Sequence, residues 1–245
     1  MFQLNTFSIA ARCPRTGMMG VAVSTAVPAV GGICSYIKEG VGAIATQSWV
    51  NPYLGIDGLK LLEQGLSAEE TLTKLLAEDP GRDDRQMGIV DAQGRVAAHT
   101  GASCVTYAGH ILGDGFTVQG NMLVGAETIN AMAAAAKASE ASDLSERLML
   151  VLEAGQAAGG DKRGKQSAAL KVFNCEAYPW LDIRVDEHRN PVSELRRIFE
   201  IAKHQLLTFT KGMPTRANPM ASLPSEVTAM LMTPPPYRPG GSGGL

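Results

Sequence analysis

The run Thr6-Phe7-Ser8-Ile9-Ala10-Ala11-Arg12, the turn Cys13-Pro14-Arg15-Thr16-Gly17 and the run Met18-Met19-Gly20-Val21-Ala22-Val23-Ser24 decide the fold class. In the first run Thr6, Ser8 and Ala10 fall on one face of a strand, and Phe7, Ile9 and Ala11 on the other. A short turn carrying Pro and Gly leads into a second strand, Met18 to Ser24. Strands joined so closely pair as an antiparallel hairpin, because a parallel pair needs a long crossover.

The same device recurs. Pro28 and Gly31-Gly32 break the pattern before a third strand, Val41 to Ser48. Gln86 to Asp91 and Arg95 to Thr100 flank the turn Asp91-Ala92-Gln93-Gly94, and Thr106 to His110 and Phe116 to Gln119 flank Gly113-Asp114-Gly115. Ser167 to Phe173 is another strand. Leu181, Ile183 and Val185 alternate with Asp182, Arg184 and Asp186 in a half-buried one.

Helices fall between these groups in pairs. Asn51-Pro52 opens one, with Ile56, Leu59, Leu62 and Leu66 at helical spacing and Gly65 at its end. Ser67-Ala68-Glu69-Glu70 is a capping box for the next, whose stripe is Leu72, Leu75 and Leu76 and whose stop is Asp79-Pro80-Gly81. Ile129, Met132, Ala133 and Ala136 line a third. Asp143 with Glu146 is expected to cap a fourth, striped by Leu144, Leu148, Val151 and Leu152. Asn190-Pro191 starts the last, along Val192, Leu195, Ile198, Phe199 and Ala202. Strands, helix pair, strands, helix pair, strands and helix make a layered α+β fold, with largely antiparallel sheets covered by helix pairs. The reading assigns residues 1–5 to a leader, 6–209 to a single domain and 210–245 to a flexible tail rich in Pro and Gly.

Composition narrows the function. Over 245 residues the formal net charge is −2, with no basic patch of the kind nucleic acid or an anionic membrane attracts. No apolar run approaches a membrane span, and Met1 to Asn5 lack the features of a secretory signal. Cys13, Cys34, Cys104 and Cys175 form no ligand-like spacing and read as reduced, mostly buried thiols of a cytoplasmic protein. His99, His110, His188 and His204 are equally dispersed, so neither a metal nor another cofactor is expected.

One polar stretch interrupts two apolar elements: Gly159-Gly160-Asp161-Lys162-Arg163-Gly164-Lys165-Gln166-Ser167. Gly159, Gly164 and Lys165 match the spacing of a phosphate loop, but Gln166 stands where that loop needs Ser or Thr. A helix precedes it and a strand follows, the reverse of what puts a helix N-terminus on a phosphate, so that reading fails. As a site loop, Asp161 and Arg163 orient Lys162, whose ammonium activates a nucleophile, while Gln166 and Ser167 bind substrate. As a solvated connection, Asp161 only pairs with one of the cations. Gln47-Ser48 and Asn51, after the third strand, line a pocket on one reading; as a helix cap, Asn51 is explained without one. His99 at a strand end reads as a satisfied histidine before it reads as a proton shuttle.

Several blocks in order resemble the family called domain of unknown function 1028. They are Thr6 to Arg12, Thr16 to Val23, Gly40 to Gln47, Asp79-Pro80-Gly81-Arg82, Arg85-Gln86, Val118-Gln119-Gly120-Asn121 and Glu153-Ala154-Gly155-Gln156. The resemblance runs from Thr6 to about His204. It implies the fold of the N-terminal-nucleophile hydrolases, a four-layer αββα sandwich. It also implies a mechanism in which Thr6, at the first position of a strand, attacks an amide with its own α-amine as base. Asn121 or backbone N–H groups would then stabilise the oxyanion. Members of the family often carry a basic residue near Thr25-Ala26-Val27, where this chain has Ala26. Thr6 gains a free amine by cleavage after Asn5, by the chain itself or another protease, or from an alternative start. The expected catalytic residues are therefore Thr6, Asp161 and Lys162, and the substrate-binding ones Gln47, Asn121, Arg163, Gln166 and Ser167. The expected reaction is hydrolysis of a small amide or ureido compound, in a homo-oligomer with no nucleic-acid or membrane partner. The alternative is an oligomeric ligand-binding or scaffold protein that keeps the fold without turnover.

Overall fold

The structure, a computed structural model, describes residues 6–232. β1 (Thr6–Arg12) and β2 (Met19–Thr25) form the expected hairpin, in register from Thr6 opposite Thr25 to Arg12 opposite Met19. A short helix α1 (Gly31–Cys34) and a strand β3 (Ser35–Lys38) follow, where the sequence suggested only a break. Gly31 belongs there because a Cβ would overlap the side chains of Ala169 and Arg184. β4 (Gly42–Ser48) pairs antiparallel with β3.

α2 (Pro52–Glu63) starts as read, with the Asn51 side chain accepting from Tyr53 N at 3.1 Å and Pro52 at the first helical position. α3 (Ala68–Glu78) has its capping box: Ser67 Oγ accepts from Glu70 N, and the Glu70 carboxylate accepts from Ser67 N at 2.8 Å. A 3-10 turn, Arg82–Asp84, leads to β5 (Arg85–Asp91), which forms a hairpin with β6 (Val96–Thr100). β7 (Gly109–Gly113) and β8 (Phe116–Asn121) form the next. β7 starts three residues later than expected, because Thr106 and Tyr107 belong to a loop.

α4 (Glu127–Ala138) and α5 (Leu144–Ala157) are the second helix pair. Asp143 is the N-cap residue of α5 but makes no side-chain cap bond, which corrects the expectation. Its supposed partner Glu146 instead accepts from Arg196 Nη1 at 2.8 Å, and Arg196 also grips Glu153 with two bonds of 2.8 Å. β9 (Ser167–Phe173) and β10 (Pro179–Val185) pair with each other, and β9 pairs with β2. α6 (Pro191–Thr210) and α7 (Ser225–Met232) complete the described elements.

The strands form a six-stranded sheet, β10-β9-β2-β1-β8-β7, and a four-stranded one, β3-β4-β5-β6, both antiparallel throughout. The chain divides into two compact units, one up to Arg197 and one from Ile198. The first holds both sheets and α1 to α5. The second contains α7, which makes part of the expected flexible tail helical. The leader, residues 1–5, and the prolines from 234 onward lie outside the described residues.

Alternation decides what each sheet face meets. Phe7 and Ile9 point to the α4–α5 side, and Ile44, Met87 and Ile89 pack under α2 and α3 with Leu54, Leu62 and Leu75. The other faces of β1 and β2 meet β4 and β5. One half of that interior is apolar and built of small residues, Ala10, Val21, Ala43, Ala45 and Val90 with Met19. The other half is polar. Gly88 of β5 lies in it so close to the Thr117 hydroxyl and the Gln119 side-chain carbonyl of β8 that a Cβ would overlap both. Gly88→Ala is therefore expected to destabilise the protein by about 1–3 kcal/mol, the usual cost of overpacking, read as a lower urea midpoint.

Candidate active site at the rim of the sheets

Antiparallel order brings one set of strand ends together. β1, β5 and β9 start at one rim of the sheet pair, and β2, β4, β6 and β8 end there. Thr6 is thus flanked by Thr25 on one side and Asn121 on the other, and Ser167 stands across from Thr25. Three non-glycine residues with positive φ also lie here: Ala29 (56°), Ser48 (67°) and Met122 (52°). Such conformations are unfavourable for side-chain-bearing residues and gather where function demands them.

Thr6 is fully buried. Its hydroxyl donates to Thr25 Oγ1 at 3.3 Å, and its carbonyl accepts from Gln47 Nε2 at 3.2 Å. Around it a chain of polar side chains spans the two sheets. Carbonyl oxygens only accept, so they fix the amides. Gln86 Nε2 faces the carbonyls of Gly120 (2.8 Å) and Gly109 (3.1 Å), which turns Gln86 Oε1 toward the donors Gln47 Nε2 (2.8 Å) and Asn121 Nδ2 (2.9 Å). Gln47 Oε1 then accepts from Ser8 Oγ at 2.6 Å, and Ser8 Oγ from Gln119 Nε2 at 2.7 Å. At the far end Gln86 Nε2 reaches Thr100 Oγ1 (2.9 Å), which is bonded to His110 Nδ1 (2.9 Å). Gln119 Oε1 is left with no hydrogen-bond partner among the described residues.

The charged loop sits on the same rim. Asp161 bridges Leu123, just beyond β8, and its carboxylate accepts from Ala26 N (3.1 Å), just beyond β2. It also accepts from Arg163 N (2.8 Å) and pairs with Arg163 Nη2 (3.3 Å). Gln166 N donates to the Thr25 carbonyl at 2.8 Å, and Lys162 N to the Met122 carbonyl at 3.3 Å. Residues 161–167 are stitched to both strands that flank Thr6. The Lys162 ammonium, however, donates to the Thr106 carbonyl at 3.0 Å, so Asp161 holds Arg163 rather than orienting Lys162. Ser167 Oγ donates to the Val27 carbonyl (2.6 Å) and accepts from Val30 N (3.2 Å), which pins the turn before α1. Gln47 and Asn121 lie beside Thr6, held within the interior amide chain.

The family model of unknown function DUF1028 matches residues 6–195. The chain belongs to the DUF1028 family. A crystal structure of protein SPO2555 from Silicibacter pomeroyi, described as DUF1028, is similar at a TM-score of 0.82 and 28% identity, covering 90% of this chain and 100% of that one. Anbu, an ancestral beta-subunit from Yersinia bercovieri, is similar at a TM-score of only 0.38 and 10% identity, over 85% of this chain and 98% of that one. No curated protein matches.

Several residues that build this DUF1028 rim were missed from sequence: Thr25, Ser8, Gln86, Gln119, Thr100 and His110. The available signal was the alternation itself. Thr6 and Ser8 share a strand face with Ala10, and Gln86 shares one with Gly88 and Val90. Polar residues on an inward face mark a buried network rather than solvent. His99 is the satisfied strand-end histidine expected, with Nε2 at 2.8 Å from the Arg82 carbonyl. Beside the rim, Arg85 clasps Asp79 (2.9 Å) and the Trp49 carbonyl (2.8 Å). Burial works against the Asp79 carboxylate, but bonds from Arg85 and Gly81 outweigh it and hold its pKa low. Among the described residues no group of His, Cys, Asp and Glu could hold a metal ion, and no helix is long and apolar enough to cross a membrane.

Partial burial, reinforced by the charge of His99, pushes the His110 pKa below its ordinary 6.5. The unfolded chain therefore binds the proton more readily than the folded one. The stabilisation is complete above about pH 6.5 and is lost as pH falls through the lower folded value. His110→Asn is expected to flatten that part of the stability–pH curve, measured by denaturant titration between about pH 5 and 7.5. Asp161→Ala strips the Ala26 and Arg163 amides of their acceptor and is expected to cost about 1–3 kcal/mol by the same measurement.

Proposed function

We propose that this protein is an amidohydrolase of the N-terminal-nucleophile type, acting on a small amide or ureido compound, with Thr6 as nucleophile. The observation that carries the reading is the position of Thr6. It is the first residue of an interior strand, with its hydroxyl directed between two sheets at the rim where Gln47, Asn121 and the Asp161 loop converge. Further support comes from the layering. α4 and α5 pack on the six-stranded sheet, α2 and α3 on the four-stranded one, and the sheets face each other, in the order of an αββα sandwich.

In the proposed reaction, cleavage after Asn5 frees the Thr6 amine. That amine, with an ordinary pKa of about 7.7–8.0, takes the proton from its own hydroxyl. The alkoxide attacks the substrate carbonyl carbon, and the C–N bond breaks as the ammonium returns the proton to the leaving nitrogen. Water, deprotonated by the same amine, then cleaves the Thr6 ester and releases the acid. The N–H of Asn121 not engaged by Gln86 is a donor for the oxyanion. Asp161 supplies the charge that stabilises the ammonium. Arg163, Lys162 and Gln166 line the approach, and Gln47 and Ser167 act by holding the Thr6 carbonyl and the neighbouring turn. No cofactor takes part.

A second reading is favoured by Ala26. Its N–H, in place of a basic side chain, meets Asp161, and Lys162 is engaged elsewhere. The rim would then bind a small molecule without turning it over, in an oligomer.

Intact mass and N-terminal sequencing of the purified protein test the first reading. The expected N-terminus is Thr6. Thr6→Ala is expected to lower hydrolysis across an amide and ureide panel by about 10²-fold or more, with Thr6→Ser retaining part of it. A chain that keeps residues 1–5 and an unchanged Thr6→Ala variant would falsify it. A ligand that raises the melting temperature with no hydrolysis supports the second reading.

A further inference from the structure

The polar chain has a direction, and it ends on an ionisable ring at the surface. Thr6, Gly109 and Gly120 contribute carbonyls that cannot donate, so the amides of Gln47 and Gln86 have one allowed orientation each. Thr100 Oγ1 shares a Gln86 Nε2 hydrogen with the Gly109 carbonyl and lies 2.9 Å from His110 Nδ1. With His110 neutral and its proton on Nε2, the Thr100 hydroxyl donates to Nδ1. A protonated ring presents N–H at Nδ1. Thr100 Oγ1 would then face two donors, and its own hydrogen would lose its acceptor.

We propose that His110 is the outer end of a relay, His110–Thr100–Gln86, through which its protonation state changes the strength of the hydrogen bonds that the Gln47 and Asn121 amides make beside Thr6. His110 is a positioning residue that acts through Thr100 and Gln86 and touches no reacting atom. Four observations converge on it. Gln86 is fully buried and bonds to both amides through one oxygen. Its other end contacts Thr100. His110 is exposed to solvent, where it meets the bulk pH. The groups that surround it are otherwise neutral or distinct in role. β6 presents Thr100 and His99, whose ring is held by the Arg82 carbonyl. β8 pairs the uncharged Gln119 opposite it, and from α4 Ile129 packs at Gly109. His99 is the neighbour whose charge acts on it, and the Tyr107 hydroxyl lies beside Gly109.

That this change in hydrogen bonding tunes catalysis rests on the reading of Thr6 as nucleophile. The relay itself does not, and it can be read without substrate. The experiment follows the side-chain amide ¹⁵N–¹H resonances of Gln86, Gln47 and Asn121, together with the His110 ring, by NMR between about pH 5 and 8. Expected is one shared midpoint for the ring and the three amides. In His110→Asn, which keeps an acceptor toward Thr100 but does not titrate, the amides are expected to stay flat. In Thr100→Val the ring should titrate while the amides do not, and Thr100→Ser should restore the coupling, which separates relay from misfolding. Amides that stay flat while the wild-type ring titrates, or that still titrate in His110→Asn, overturn the proposal. If the relay titrates while Thr6→Ala changes no activity, the relay stands and the hydrolase reading alone falls.

Discussion

One side-chain amide, Gln86, ties the two sheets together at the rim that holds Thr6. It rises from β5, donates to the backbone of β8 at Gly120, and accepts from Gln47 on its own sheet and Asn121 on the opposite one. A buried amide without partners costs several kcal/mol on the harshest reference scales, and one fully bonded is near neutral. The polar half of the interior is therefore tolerable only while its members keep each other's partners. That constraint explains its rigidity. No residue in the chain can reorient alone, because each amide is fixed by a backbone carbonyl or by a neighbour so fixed.

The apolar half supplies the closeness this requires. Ala10, Ala43 and Ala45 are small, so β1 and β4 approach until Ser8 and Gln47 bond at 2.6 Å. Larger residues there would separate the sheets and stretch the amide chain past bonding distance. At Gly88 the approach leaves no room for a side chain at all. One consequence is the orphaned Gln119 carbonyl: with Ser8 committed to Gln47, Gln119 must donate, and its oxygen is turned toward Gly88. An unsatisfied buried acceptor is uncommon in a stable core and marks where stability yields to geometry.

Local chemistry made much of the fold legible in the sequence. Asn51-Pro52 and the Ser67–Glu70 capping box start their helices where they were read, since a cap is settled within four residues. Hairpins with short turns were legible for the same reason. α1 and β3 were not. Gly31-Gly32 breaks helices in most settings, and only the close approach to Ala169 and Arg184 makes glycine necessary here. Charge in the loop of residues 159–167 was legible as one polar stretch between two apolar elements, but not how its members divide. Asp161 reaches inward to Ala26 while Lys162 reaches Thr106, a choice made by the ends of β2 and β8. The amide chain was least legible, because its members are scattered from Ser8 to Gln119 and meet only when two sheets face each other.

The proposed chemistry places one more demand on this rim. A free amine at Thr6 would sit among neutral amides, where burial disfavours its charged form. Left so, it would take the hydroxyl proton poorly and hold it too weakly to serve both halves of the reaction. A carboxylate counters that by favouring the ammonium. Three buried carboxylates are described: Asp91 caps the β5–β6 turn at the opposite end, and Asp79 is clasped by Arg85. Asp161 is the one anchored beside Thr25, the partner of Thr6. A basic side chain at position 26 would compete for it, whereas Ala26 takes only a hydrogen bond through its backbone. Arg163 holds the same carboxylate with its side chain 34% exposed, so water shares its charge. On this account Ala26 does not remove a catalytic cation from the rim; it leaves Asp161 as the counter-charge that a free Thr6 amine requires.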